Sequence, residues 1–235
     1  MAYRITQDPI LSVAADAAVL CVEIKTIATQ SPSSVQLAGA ADVAFPTRLR
    51  KERFLPVGSA EAAGAGIGPF REIILVATPR WMNAQGNEIL ILHYCYRNVF
   101  RVAEELGCKS VVMPFLSTYY YRFPREDAVH AALAEAEKTP LQVTFVAESG
   151  EVCRIARAGY RKPEIRTYIG YYRDHAIFEL DDGRFVRVDI RPEIRDAVYI
   201  SYFAPCYRVG NNPKQPPLPP EEIERLKGVY ARGDW

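Results

Sequence analysis

Four short runs dense in Val, Ile, Leu and Ala punctuate the first two thirds of the chain: Ala17 to Val22 (AAVLCV), Ile73 to Ala77 (IILVA), Ser110 to Pro114 (SVVMP) and Leu141 to Ala147 (LQVTFVA). Each is too short for an ordinary helix and is apolar at consecutive positions, so apolar side chains fall on both faces of an extended segment. Strands of that kind need a sheet that is covered on each side, and the helical patterns between them supply the cover. The clearest is Glu88 to Leu106, where Ile89, Leu92, Tyr96, Val99, Phe100, Ala103 and Leu106 recur at steps of three and four and make one apolar stripe. Asn87 can cap its start and Gly107 its end. Arg125 to Glu137 reads as a second helix, and Glu151 to Ala158 as a third with Ser149 as cap and Gly159 as stop. Strands alternating with helices place residues 1–160 in the α/β class.

After Tyr160 the pattern changes. Thr167 to Tyr172, Ala176 to Leu180, Arg184 to Ile190 and Ala197 to Phe203 are rich in Tyr, Val, Ile and Phe and read as strands. The middle two form a hairpin around Asp181-Asp182-Gly183. With Gly183 left-handed in a three-residue loop, Phe178 faces Val186 and Ala176 faces Val188. The continuous apolar face that results needs a cover, for which the preceding domain is the expected source. The expected organisation is residues 1–160 as the α/β domain, 161–210 as a β-rich extension, and 211–235 as a proline-rich linker with a terminal helix.

Bulk properties exclude several functions. The formal net charge is +1 over 235 residues, so neither phosphate-driven nucleic-acid binding nor attachment to an anionic membrane surface is expected. No apolar run approaches the roughly 18 residues of a membrane-spanning helix. The first ten residues lack the charged and apolar regions of a secretory signal, and a cytoplasmic location is expected. Cys21, Cys95, Cys108, Cys153 and Cys206 are scattered without a C-x-x-C pair, as are His93, His130 and His175. Free buried thiols are expected rather than a disulfide framework or a metal site, and no cofactor is expected. His93, at the border of the helical stripe, reads as a packing residue.

Gly64, Gly66 and Gly68 (AAGAGIGPF) do not have the G-x-G-x-x-G spacing of a dinucleotide fingerprint, and a strand follows them instead of a helix. They read as a tight loop between strands. Ser110 to Ala128 (SVVMPFLSTYYYRFPREDA) is more informative, because a buried strand there runs through a polar and aromatic loop into a helix. The carboxyl end of a strand meeting the amino end of a helix is where open α/β sheets bind anions, since free N–H groups and the helix dipole point there.

That stretch resembles the macrodomain pattern, in which a strand ending in Pro leads to I-S-T-G-I-Y-G-F-P and a helix. Gln7 to Ile10 (QDPI) resembles the family's G-D-I-T, and Asp16 to Glu23 (DAAVLCVE) resembles D-A-I-V-N-A-A-N. Gly58 to Pro79 (GSAEAAGAGIGPFREIILVATP) resembles the G-x-A…G-Y-x-L-P…V-I-H-T-V-G-P run. The resemblance spans roughly residues 3–158 and leaves 160–235 unmatched. It implies a three-layer α/β/α fold with a mixed sheet, to which the small antiparallel extension is added. It also implies a cleft for ADP-ribose or a related nucleotide at the sheet's carboxyl edge. Asp8 would accept the adenine amino group, and Ser117, Thr118 and Tyr121 would belong to the loop around the diphosphate and distal ribose.

The chain also departs from the family pattern. Leu20 and Glu23 stand where the pattern strand carries asparagines, the run of three glycines has Gln30 to Gly39 as its nearest counterpart, and Tyr119 and Arg122 replace two loop glycines. Glu23 can accept a ribose hydroxyl but repels a diphosphate. Arg122 can replace amide contacts with a charged fork, and Tyr119, Tyr120 and Tyr121 can stack on a base. The candidate ligand-binding set is Asp8, Glu23, Gly66, Ser117, Thr118, Tyr119, Tyr120, Tyr121 and Arg122, with no catalytic or metal-binding residue. The expected function is non-catalytic recognition of an ADP-ribose-like ligand; any activity would be of the ADP-ribosyl hydrolase type. The alternative is a scaffold whose pocket is filled by its own tyrosines and which binds a protein partner, with the C-terminal extension as a possible contact surface.

Overall fold

The computed structural model describes residues 3–23, 26–27, 31–41, 55–64, 66–82, 88–119, 121, 123–159, 161–172, 174–191, 198–201 and 217–232. The chain forms two compact units, one made of Met1–Trp81 and Ile91–Tyr160, the other of Met82–Leu90 and Arg161–Trp235.

The first unit is built on a mixed sheet. Its strands are β1 (Tyr3–Thr6), β2 (Ala17–Glu23), β3 (Thr26–Ile27), β4 (Ala60–Ala62), β5 (Glu72–Ala77), β6 (Ser110–Pro114) and β7 (Gln142–Val146). Their order is β1-β7-β6-β2-β5-β4, with β3 pairing to β2. β1, β7, β6, β2 and β5 are parallel, and β4 and β3 run antiparallel to β5 and β2. The helices are α1 (Pro32–Ala40), α2 (Glu88–Glu105), α3 (Arg125–Ala136) and α4 (Gly150–Ala158).

Burial explains the consecutive apolar runs. Ala17, Ala18, Val19 and Leu20 of β2 and Ile73, Ile74 and Val76 of β5 are fully enclosed, as strands covered on both faces must be. On one face Ala18, Leu20, Ile73, Leu75, Val112 and Val146 pack with Ile10, Leu37 of α1, Ile67 and Phe70. On the other, Phe145 lies against Tyr96 of α2, with ring centroids 6.2 Å apart, and stacks on Phe115 at 4.7 Å. α2 buries Leu92, Tyr96, Val99 and Ala103 completely, as the helical stripe predicts. Gly107 ends it with φ +70°, and its N–H donates to the Glu104 carbonyl. The Ser149 hydroxyl accepts from the Val152 N–H and caps α4; Asn87, the expected cap of α2, lies outside the described residues.

A network centred on the buried Glu135 carboxylate joins α2 to α3. Arg97 donates through Nε to Glu135 Oε2 at 2.9 Å, His93 Nδ1 lies 2.7 Å from Oε1, and Lys138 Nζ lies 3.2 Å from Oε1. His93 is therefore a buried packing residue held by a carboxylate. Four cysteines, Cys21, Cys95, Cys108 and Cys153, are buried free thiols, and Cys206 lies outside the described residues.

The second unit contains a four-stranded antiparallel sheet, β11 (Val198–Ser201), β10 (Phe185–Asp189), β9 (His175–Leu180) and β8 (Ile165–Tyr172), in that order, and helix α5 (Pro220–Arg232). Phe178 pairs with Val186 and Ala176 with Val188, and Gly183 has φ +84°, which are the register and turn the hairpin loop dictates. Lys162 Nζ donates to the terminal α5 carbonyls of Tyr230 and Ala231 at 2.5 and 3.1 Å, placing a cation where the helix dipole is negative. The Tyr230 hydroxyl donates to the Pro163 carbonyl at 2.7 Å.

Candidate functional site

The parallel strands β1, β7, β6, β2 and β5 all end at one edge of the sheet, where the segment after β6 and the starts of α1, α3 and α4 meet. Among the described residues, Cys21, Ser31, Pro114, Phe115, Ser117, Tyr119 and Tyr121 line a pocket there with about 220 Å³ of empty space, counting its open mouth. The residues come from the end of β2, the cap of α1 and the segment from Pro114 to Tyr121.

That segment is fixed from below. The Leu116 N–H donates to the buried Tyr96 hydroxyl at 2.8 Å, and the Thr118 hydroxyl donates to the Phe115 carbonyl at 2.8 Å. The Ser117 hydroxyl donates to the Pro79 carbonyl at 3.2 Å, and the Trp81 N–H to the Tyr121 carbonyl at 3.3 Å. Trp81 and Phe123 pack with centroids 5.0 Å apart. The loops following β5 and β6 are therefore tied together. Ser117 holds φ +63° and is the single non-glycine with positive φ among the described residues. Such a conformation persists only where its surroundings over-determine it. Replacing Tyr96 with Phe leaves the Leu116 N–H buried without a partner. It should cost about 1–3 kcal/mol in chemical denaturation, with an unchanged denaturant slope if the fold is kept.

The two described loop tyrosines differ. Tyr119 is 60% exposed and Tyr121 is buried, and both line the pocket. Ser117 and Thr118 are also buried. Tyr120 and Arg122 lie outside the described residues, as does the Glu23 side chain. Asp8 follows β1 at the same edge; its carboxylate is exposed and accepts the Thr6 hydroxyl at 2.6 Å. Gly66, a member of the candidate set, is not brought to this edge. The turn containing it joins β4 to the beginning of β5, where the Arg71 and Glu72 N–H groups donate to the Asp16 carbonyl at the start of β2. That is the amino edge, at the other end of the strands. Glycine is required there for a packing reason, since a Cβ would meet the Phe70 carbonyl oxygen at 2.2 Å.

Two features absent from the candidate set belong to the carboxyl edge. Ser31 accepts from the Ser34 N–H at 3.2 Å and caps α1, a helix whose sequence SPSSVQLAGA has little apolar periodicity. Glu148, just after β7, accepts the Ser33 N–H at 2.7 Å. The Cys21 thiol in the pocket wall is pushed up to about 12 by burial and by the Glu148 charge, so it stays protonated and is a poor nucleophile.

The chain is similar in sequence and in fold to known proteins. A model of the Macro domain family matches residues 36–132. A macro domain-containing protein of Streptomyces griseus is 35% identical over 121 residues, which cover 48% of this chain and 68% of that protein. The chain belongs to the macrodomain family. Another relative, the O-acetyl-ADP-ribose deacetylase of Escherichia fergusonii, is 32% identical over 112 residues, covering 45% of this chain and 63% of the enzyme. The macrodomain of Oceanobacillus iheyensis with ADP superposes with a TM-score of 0.59 at 21% identity, covering 66% of this chain and 87% of that one. This macrodomain spans only 61% and 54% of the length of two further Streptomyces relatives.

Proposed function

We propose that the cleft at the carboxyl edge recognises ADP-ribose or a related nucleotide and does not turn it over. The observation that carries this reading is the loop from Phe115 to Tyr121. It keeps Ser117 in a left-handed conformation, held from below by Tyr96 and Pro79, and lines the pocket with the exposed Tyr119. Strain of this kind concentrates where a backbone must meet a ligand, and an exposed aromatic ring offers a stacking face. The deacetylase relative and a Trypanosoma brucei macrodomain in complex with ADP-ribose, at TM-score 0.55, support the ligand class. Recognition without catalysis is favoured because Leu20 is fully buried and apolar, and the Cys21 thiol is held protonated.

A second reading is favoured by the pocket size. The figure of about 220 Å³ includes the open mouth, so the enclosed space is far smaller and falls well short of the 300–1,000 Å³ usual for small-molecule sites, and Tyr121 and Phe115 form part of its wall. A pocket closed by those rings would make the module a scaffold for a protein partner. Calorimetric titration with ADP-ribose and NAD separates the two. The ligand reading expects saturable binding of ADP-ribose and a loss of about tenfold or more in Asp8→Ala, through the adenine amino group. Absence of heat and of any thermal shift with either compound would sink it and leave the scaffold.

A further inference from the structure

The Glu148 carboxylate sits on the first turn of α1. Its Oε1 accepts the Ser33 N–H, one of the N–H groups that a helix start leaves without an intrahelical partner. Its Oε2 is buried without a hydrogen bond of normal geometry, although the hydroxyls of Ser33 and Ser31 are close enough to favour the charged form. Ser31, the cap of this helix, lines the pocket together with Ser117 and Tyr119, and the Glu148 charge reaches Cys21 in the same wall. The negative end that a ligand phosphate would bring to this helix start is therefore already supplied by the chain itself.

Resting on the reading of the cleft as a nucleotide site, we propose that Glu148 is its specificity-determining residue. By occupying the anion position at α1, its carboxylate selects ligands that bring hydroxyl groups, not a diphosphate, to Ser31 and Ser33. A carboxylate and a phosphate cannot share one N–H donor, and two such anions repel strongly in a site withdrawn from water. A ribose hydroxyl, in contrast, can donate to the carboxylate. Burial holds the Glu148 pKa above the usual carboxylate range, so the folded protein bears a cost for keeping this charge. A neutral isostere is therefore expected to fold.

The test is calorimetric titration of wild type, Glu148→Gln and Glu148→Ala with ADP-ribose, inorganic pyrophosphate and adenosine, with thermal melting as a check on folding. In both variants ADP-ribose and pyrophosphate should bind at least tenfold more tightly than in wild type, while adenosine affinity stays within about twofold. ADP-ribose affinity that is the same in wild type and in folded variants overturns the role of Glu148 and leaves the cleft reading intact. No binding of any of the three compounds by any of the proteins overturns the cleft reading, and this inference with it.

Discussion

Glu135→Ala is expected to lower the unfolding free energy by about 3 kcal/mol, the low end of the cost of breaking a buried ion pair. The low end applies because Arg97 and Lys138 are 30% and 48% exposed and can turn to water, whereas His93 is 6% exposed and cannot. Burial alone would raise the Glu135 pKa, but the hydrogen bonds from His93 and Arg97 outweigh it and hold it at about 2. A carboxylate with a depressed folded-state pKa contributes stability that is present above the unfolded pKa near 4.5 and is lost as pH falls towards 2. The stability difference between wild type and Glu135→Gln should therefore be full at pH 6 and nearly gone at pH 2. Burial also lowers the His93 pKa, so its neutral form is the native one and its contribution begins to fade as pH drops through the ordinary histidine range. Urea denaturation at a series of pH values measures both. An unchanged pH slope in Glu135→Gln would contradict the network as described.

Phe145→Ala is expected to cost about 3–5 kcal/mol, the range for removing a large core aromatic. Phe145 has no exposed surface and touches three rings. It stacks on Phe115, meets Tyr96 edge-on and meets Tyr3 at 6.2 Å. Phe115 opens the pocket segment, and Tyr96 holds the Leu116 N–H. The cavity would therefore open directly beneath the site. Faster amide exchange from Leu116 to Tyr119 should accompany the lost stability, whereas the β9–β10 hairpin in the second unit should be unaffected. Exchange that accelerates equally in both units would mean that the aromatic cluster does not support the loop specifically.

Much of this fold was legible in the chain because local chemistry and tertiary environment agree. β2 and β5 declare themselves by the unbroken apolar runs from Ala17 to Val22 and from Ile73 to Ala77, and the turn residue Gly183 fixes the Phe178–Val186 register. What was missed shares one cause. β1, β3, β4 and α1 have little internal pattern; Tyr3–Thr6 and Ala60–Ala62 are strands because their neighbours accept their hydrogen bonds. α1 is a helix because Ser31 and Glu148 satisfy its first turn. Gly66 lies at the amino edge because antiparallel β4 reverses the chain direction, and the sequence position of a turn does not say at which end of the sheet it falls. Ser117 and Thr118 enter the candidate set through the family resemblance, and both are buried in the loop that follows β6. Glu148 was hidden because Glu-Ser-Gly after a strand reads as the start of α4, and its true partner is 115 residues away.

The central claim, that the carboxyl edge of the sheet is the ligand site, is tested most directly by following backbone amide resonances while ADP-ribose is added. Saturable shifts should concentrate at Ser117, Thr118, Tyr119 and Tyr121 and at the first turn of α1, with Gly64, Gly66 and Gly68 at the amino edge left still. Shifts centred on those glycines or on the second unit, with the Ser117 to Tyr121 amides unmoved at saturation, would contradict it.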